Sequence, residues 1–420
     1  MMIHSYQRVG AVVWALALVA GGVACGAQGE APDETGQSED AVLGGLPATS
    51  PVFDAVGAVY GVGGPQVPFC TATLIAPDQI LGSISCMPVA EGGQTTFRVG
   101  ARADQPKQTV AVRRWVGMYD NLWSKPGPDG GRAPSALSQG LAIGYLDRPL
   151  TITPLPVGNF KRAGIGRRYI VMGYGEQSDR PGFVADAGPG VPPSIVGRRR
   201  LGSMTLRALE GDRFWETQYK TFDDYVTADA VISGTPSKAG DPAYRAQHLA
   251  SWEERLTDAD AVLGGGPGDA ASSGAGDTGA PILGVLNGKL TILGLSSTNR
   301  YLGPRPGFNP AHVPVIAATF GSEATYFLGS RKACGQISAY GDCAADKIVR
   351  CTTPNEGAPR LIETDCAEIG FQCGSFGTFF NRPNAPRQCI PGCETNADCA
   401  GIVGTPGTCK AGRCTWASVP

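Results

Sequence analysis

Short apolar stretches alternate with turn residues along most of this chain. From about Val42 to Ser330 the apolar stretches are short, and Gly, Pro, Asn and Asp stand between them. Many short strands at such spacing are typical of a β-sandwich or of β-barrels, and spacing alone does not choose between the two. The predicted strands are Ala55–Tyr60, Thr71–Ala76, Thr95–Ala101, Thr109–Val116, Leu141–Leu146, Tyr169–Gly173, Ser203–Ala208, Ile282–Leu286 and Leu290–Leu295, and one closing helix is predicted at Ala317–Leu328.

The N-terminus has a different pattern, an almost unbroken apolar run. It follows Arg8 and covers 16 residues, Val9 to Ala24. A membrane-spanning helix needs about 20 residues, so a signal peptide over residues 1–25 is favoured. The run ends in Gly-Val-Ala-Cys at Cys25, which resembles the lipobox of bacterial lipoproteins. That resemblance implies that Cys25 is acylated and anchors the protein to a membrane, and simple secretion is the alternative.

Composition changes on both sides of the β-rich region. Residues 26–41 are polar and acidic and lack large apolar side chains. They predict a disordered tether, with a cleaved pro-segment as the alternative. From Cys334 to Cys414, 10 cysteines occur in 81 residues with few aliphatic residues. Such a segment needs cross-links because it cannot build a large core. We therefore predict one domain over residues 42–330 and a disulfide-stapled region over residues 331–420.

The cysteine count agrees with export. There are 13 cysteines, and setting Cys25 aside as the lipid site leaves 12, enough for six disulfides in an oxidising compartment. Zinc is the alternative for the tail, but the tail has no histidine and no paired C-x-x-C motifs. We predict disulfides, no metal and no cofactor. The tail cysteines are Cys334, Cys343, Cys351, Cys366, Cys373, Cys389, Cys393, Cys399, Cys409 and Cys414.

The charge of the chain is nearly balanced. Lys and Arg number 35 and Asp and Glu number 37, giving a formal net charge of −2. A nucleic-acid-binding surface is normally strongly basic, so nucleic acid is not an expected partner.

Three segments, in order, carry the landmarks of a known family. They are Phe69–Met87 (FCTATLIAPDQILGSISCM), Gln139–Leu150 (QGLAIGYLDRPL) and Gly276–Pro281 (GDTGAP). In this respect the chain resembles the trypsin-like serine proteases. The resemblance implies an all-β fold of two six-stranded barrels over residues 42–330. It also implies a disulfide between Cys70 and Cys86.

Each landmark lacks the reactive residue of that family. Ser85 stands at the position of the catalytic histidine, Gly140 at that of the aspartate and Thr278 at that of the nucleophilic serine. A hydroxyl is a poor nucleophile until a base removes its proton, and the family's histidine is that base. After the signal peptide only His248 and His312 remain, neither of them in the first barrel. We expect both to be ordinary surface or packed histidines, and we expect Thr278 to be a remnant hydroxyl.

Two features of the third landmark are independent of catalysis. The backbone amides of Gly276 and Thr278 are candidates for an anion-binding nest that resembles an oxyanion hole. In the family, the aspartate at the position of Asp277 pairs with an amine freed by cleavage of a pro-segment. No Lys or Arg directs such a cut immediately before Val42, so a buried structural carboxylate is the favoured role for Asp277.

The sequence favours an exported, lipid-anchored pseudoprotease that binds or scaffolds a protein or peptide at the cell envelope. One alternative is an active endopeptidase that uses Thr278 with an unrecognised base. The other is a surface adhesion protein that binds through its cysteine-rich tail, with the barrels as a spacer.

Overall fold

The computed structural model describes the part of the chain that carries the three landmarks. The described residues are 46–62, 67–88, 94–118, 140–175, 197–264, 269, 276–299, 315–353, 356–369, 371–375, 387–391, 393–399, 407–410 and 413–416. All of them lie within one structural unit. The predicted signal peptide, Cys25 and the tether lie outside the described residues.

The first half of the β-rich region closes into a six-stranded antiparallel barrel, in the order β2-β3-β4-β7-β6-β5. Pairing of β2 with both β3 and β5 closes it. Buried and half-buried positions alternate along β5, as expected for strands with one face in a core. The strands are β1 (Leu46–Pro47), which belongs to the second sheet, then β2 (Val56–Gly61), β3 (Cys70–Ala76), β4 (Gln79–Ser83), β5 (Thr95–Val99), β6 (Gln108–Gly117) and β7 (Leu141–Leu146).

The second half forms another six-stranded barrel with the same relative strand order, β8-β9-β10-β13-β12-β11. Pairing of β8 with both β9 and β11 closes it, and β1 adds to β9. The predicted double-barrel fold is therefore confirmed, and it is consistent with a chymotrypsin-like fold. The strands are β8 (Arg168–Gly173), β9 (Arg200–Ala208), β10 (Asp260–Leu263), β11 (Pro281–Leu286), β12 (Lys289–Asn299) and β13 (Val315–Thr319).

All nine predicted strands are present, but the predicted helix at Ala317–Leu328 is wrong in its first part. Ala317 and Ala318 belong to β13, which is buried along its whole length and pairs with both β10 and β12. The helix α3 instead spans Ser322–Cys334, directly after Gly321. Burial between two partner strands overrides the helix propensity of the alanines. The division proposed at residue 331 lies inside α3.

A helical insertion separates β9 from β10. Helix α1 (Phe222–Ile232) begins with a capping box between Thr221 and Asp224, and α2 (Pro242–Glu253) begins with an Asp241 cap. Aromatic residues of these helices and of the segment before α1 pack with Val262 and Ile316 of the second barrel. They are Phe214, Trp215, Tyr219, Tyr225 and Trp252.

Buried polar contacts join the two barrels. The Arg199 side chain is 0% exposed, and its guanidinium pairs with Asp54 at 3.0 Å and donates to the carbonyls of Ala48 at 2.9 Å and Phe53 at 2.7 Å. Tyr174 is also fully buried, and its hydroxyl lies 3.0 Å from the carbonyl oxygen of Val56. A buried cation is tolerated only when acceptors surround it. These contacts therefore fix the second barrel against the first.

The cysteine-rich tail begins as a continuation of this core. Phe327 of α3 packs with the cluster that fills the first barrel, and buried Arg331 donates to the carbonyls of Gly335 at 3.0 Å and Ile337 at 2.8 Å. An ion pair links Arg114 of β6 to Asp342. The start of the tail is thus packed against the first barrel.

The tail consists of small sheets held by disulfides, as its composition predicted. Cys399 is disulfide-bonded, and the other described bridges are Cys334–Cys351, Cys343–Cys373, Cys366–Cys389 and Cys393–Cys409. The strands are β14 (Asp342–Ala344), β15 (Lys347–Cys351), β16 (Leu361–Asp365), β17 (Phe371–Ser375), β18 (Arg387–Pro391), β19 (Gly407–Lys410) and β20 (Arg413–Trp416). Across the described part of the chain, no helix combines the length and apolarity needed to span a membrane.

The tail contains an acid-sensitive contact. The Arg350 guanidinium donates to the Glu356 carboxylate at 2.9 Å, and the Thr353 amide donates to it at 2.7 Å. The hydrogen bond from Arg350 is the main cause that lowers the pKa of Glu356 to about 2, from an ordinary value of 4.5. Because the folded pKa is the lower one, this stabilisation is present above about pH 4.5 and is lost as the pH falls towards 2.

We predict that Glu356→Gln flattens the acid dependence of thermal unfolding between pH 4.5 and pH 2, because glutamine cannot be protonated in that range. The measurement is the melting temperature at several pH values for wild type and variant. Glu363→Gln, at an exposed glutamate on β16, is the control and is expected to follow wild type. Parallel curves for wild type and Glu356→Gln would contradict the prediction.

Candidate functional site

The Gly276–Pro281 segment lies between the barrels and is held by both. The Thr71 amide of β3 donates to the Thr278 carbonyl at 3.0 Å, and the Thr71 hydroxyl donates to the Gly276 carbonyl at 3.1 Å. From the second barrel, Ser296 accepts a hydrogen bond of 2.7 Å from the Gly279 amide. The segment is therefore fixed by backbone contacts that do not involve the Thr278 side chain.

Two positions in this segment require glycine. Gly276 and Gly279 have φ angles of +87° and +82°, a region that other residues rarely occupy. A β-carbon at Gly279 would lie 2.4 Å from the Thr71 carbonyl oxygen, and one at Gly276 would lie 2.9 Å from Gly175 Cα. Close approach of the first barrel at Gly279, and of the chain after β8 at Gly276, therefore explains the glycine spacing of this landmark.

Asp277 is fully buried beneath the same segment. Its Oδ1 accepts a hydrogen bond of 2.8 Å from the Gly175 amide. A β-carbon at Gly173 would lie only 1.9 Å from that oxygen, so the end of β8 has room for the carboxylate only because residue 173 is glycine. This local amide contact is the kind expected of a structural carboxylate. Val42, the first residue of the domain predicted from sequence, lies outside the described residues.

The first barrel brings Ser85 next to Gly140. Ser85 lies in a short 3₁₀ turn, Ile84–Cys86, after β4, and the Ser83 hydroxyl accepts the Ser85 amide at 3.3 Å. The Ile84 amide donates to the Gly140 carbonyl at 3.3 Å, because β4 and β7 are paired up to this end of the barrel. Gly140 precedes β7 and has a φ of +69°.

A disulfide lies close to the third of these positions, Thr278. Cys70 and Cys86 are joined, as the resemblance implies. The sulfur of Cys86 lies 3.6 Å from the Thr278 carbonyl oxygen. Ser85, Gly140 and Thr278 are far apart in sequence and adjoin different strands, but the contacts of Ile84 and Cys86, the neighbours of Ser85, bring the three positions together where the two barrels join.

The side chains at these positions carry no base. Ser85 is exposed and Thr278 is half-buried, and both are hydroxyls that hold their protons near neutral pH. Gly140 has no side chain. Proton removal is the step on which nucleophilic attack depends, so these three residues alone do not supply it.

His248 is engaged elsewhere. Its Nδ1 lies 2.7 Å from the Tyr244 carbonyl oxygen, and its Nε2 lies 2.9 Å from Asp229 of α1. The Tyr244 hydroxyl also donates to Asp229. These contacts hold α1 against α2, which agrees with the expected packed histidine. His312 lies outside the described residues.

The backbone amides of Gly276 and Thr278 are the candidate donors of the anion site. Among the hydrogen bonds of the described residues, neither the Gly276 amide nor the Thr278 amide donates to a protein acceptor. Backbone amides of nearby residues in a tight turn can bind a carboxylate or another anion. In the described ranges, no group of three or more His, Cys, Asp or Glu residues is arranged to hold a metal ion.

Sequence reasoning did not identify Thr71 or Gly173 as site residues. Thr71 is one of two hydroxyl residues in β3 and directly follows Cys70, and that position was the available signal. Gly173 is part of the Val-Met-Gly-Tyr-Gly sequence that begins the second barrel. Its role depends on Asp277, more than 100 residues later, so no local pattern indicates it.

Comparison with known proteins assigns no family to this site. No protein-family model matches the chain, and no curated protein matches it.

We predict that Gly173→Ala destabilises the protein strongly, because the new methyl group collides with the buried Asp277 carboxylate. Overpacking of this kind costs about 1–3 kcal/mol or more, measured as the free energy of unfolding in urea. Gly82→Ala in β4 is the matched control. Its β-carbon meets ordinary contacts at 3.5 Å or more, so little change is expected. Equal stabilities for the two variants would contradict the prediction.

Proposed function

We propose that this chain is an exported, lipid-anchored pseudoprotease whose double barrel binds a protein or peptide at the cell envelope without cleaving it. One observation carries the proposal. Ser85, Gly140 and Thr278 meet at the barrel junction in an ordered backbone frame, and none of them accepts a proton. In this proposal the chain has the binding surface of a trypsin-like protease but lacks its catalytic groups.

The proposed loss of activity follows from how such sites work. The residues of a catalytic triad act as a unit, and loss of the nucleophile or the base lowers the rate by about 10⁶-fold. The β-branched Thr278 side chain is also restricted in its rotamers. An active threonine peptidase needs a base beside this hydroxyl, and the contacts of His248 with Tyr244 and Asp229 argue against that residue.

The geometry beside Thr278 suits an extended peptide. The β12–β11 register ends at the pair Leu295 and Pro281, whereas β12 continues to Asn299. The Gly279–Ser296 hydrogen bond places this end of β12 beside the Thr278 turn. Peptides commonly bind by adding a strand to such an edge, and the Gly276 and Thr278 amides offer donors to a carbonyl or carboxylate.

The tail supports the barrel in this proposal. Asp342 is paired with Arg114, and the Tyr145 hydroxyl of β7 donates to the Gly335 carbonyl. These contacts fix the beginning of the tail against the first barrel. We therefore assign binding to the barrel junction and treat adhesion through the tail as the less favoured function.

A fluorophosphonate probe tests the absence of activity. We expect the purified protein to remain unlabelled, as Thr278→Ala does, because no base activates the hydroxyl. Trypsin in the same reaction is the positive control. Labelling of wild type that disappears in Thr278→Ala would establish a threonine nucleophile and overturn the proposal.

Metabolic labelling with a palmitate analogue tests the anchor. In a bacterial host we expect the full chain to incorporate the lipid and Cys25→Ala to incorporate none, because the thiol of Cys25 is the proposed acylation site. Fractionation of the same cells is expected to move the variant from the membrane to the soluble fraction. Equal labelling of both proteins would refute the proposed anchor.

A further inference from the structure

Three arginines converge on one surface at the junction of the barrels. Arg102 and Arg198 face each other in an antiparallel bridge. The guanidinium carbon of Arg98 in β5 lies 3.9 Å from the Tyr60 ring centroid, and an Arg98 nitrogen donates to the Ala103 carbonyl at 3.5 Å. Like charges directly opposite on paired strands are destabilising, so this arrangement is not explained by stability of the sheet.

The cluster is only partly neutralised within the described residues. Asp104 accepts two hydrogen bonds from Arg102, one of them 3.0 Å long, and it also attracts Arg198. Arg198 itself makes no hydrogen bond to the described residues, and the Nε atoms of Arg198 and Arg98 are buried without a partner. Asp104 therefore faces the guanidinium groups of both Arg102 and Arg198.

This basic cluster (Arg98, Arg102 and Arg198) is adjacent to the candidate site. A β-carbon added at Gly276 would lie 3.0 Å from the Pro68 carbonyl oxygen. A β-carbon added at Gly197 would lie 3.9 Å from the Pro68 ring. Pro68 thus lies near both the Thr278 turn and Gly197, the residue before Arg198.

We infer that the barrel junction selects a peptide segment with acidic side chains, which lie on the basic cluster where the segment passes Pro68. This inference rests on the proposed function, since it names the partner chemistry of the same site. Guanidinium groups bind carboxylates with paired hydrogen bonds. Among the described residues none accepts a hydrogen bond from Arg198, and its Asp104 neighbour is already bonded to Arg102.

Selection from a random phage-displayed dodecapeptide library tests the inference on the full chain. We expect the enriched peptides to contain Asp or Glu in one part of the sequence. Arg102→Gln combined with Arg198→Gln is expected to weaken a selected peptide about tenfold at low salt, with a smaller effect at high salt. Arg167→Gln, an exposed arginine just before β8, is the matched control and is expected to bind as wild type does.

A second variant separates this inference from the proposed function. Ser85→Trp places a large side chain at the exposed Ser85 position and is expected to block peptides bound at the junction. Peptides that are blocked by it, but lack acidic residues and tolerate the double arginine variant, would overturn the inference alone. Failure to select any peptide, or selection only of peptides insensitive to Ser85→Trp, would overturn both.

Discussion

The candidate site depends on one constraint, the fixed position of the Gly276–Pro281 turn between the two barrels. The buried Asp277 carboxylate holds the Gly175 amide below the turn, and Thr71 holds the carbonyls of Gly276 and Thr278 from the side. The Arg199 and Tyr174 contacts keep the barrels in the position that makes this possible. All of these contacts are buried, so each lost partner would leave an unsatisfied polar group.

The contacts that hold the frame are separate from the groups that would react. Glycine φ angles, the Cys70–Cys86 disulfide and backbone hydrogen bonds define the positions of residues 85, 140 and 278. None of these contacts needs an imidazole, a carboxylate or a serine at those positions. An intact fold is therefore compatible with serine, glycine and threonine at these positions, and the proposed binding role requires only the surface of that fold.

Most barrel strands could be predicted because strand signals are local, whereas the double barrel was implied by the resemblance to trypsin-like proteases and not by strand spacing. Three barrel strands were nevertheless missed: β4 follows β3 after a two-residue turn, β10 has only four residues, and β13 contains two alanines, which also favour helices. The helices α1 and α2 lack a clear apolar stripe and are stabilised instead by aromatic packing against the second barrel. The contacts of Arg199 and Tyr174 join residues more than 70 positions apart, so no local pattern predicts them.

Rebuilding the reactive groups is the most direct test of the central claim, that an intact frame lacks only its chemistry. The variant combines Ser85→His, Gly140→Asp and Thr278→Ser, and aspartate is among the residues that best tolerate the positive φ at position 140. The account predicts that this variant reacts with a fluorophosphonate, whereas the same variant without Ser85→His does not. A folded triple variant, with wild-type thermal unfolding, that remains unreactive would contradict the account.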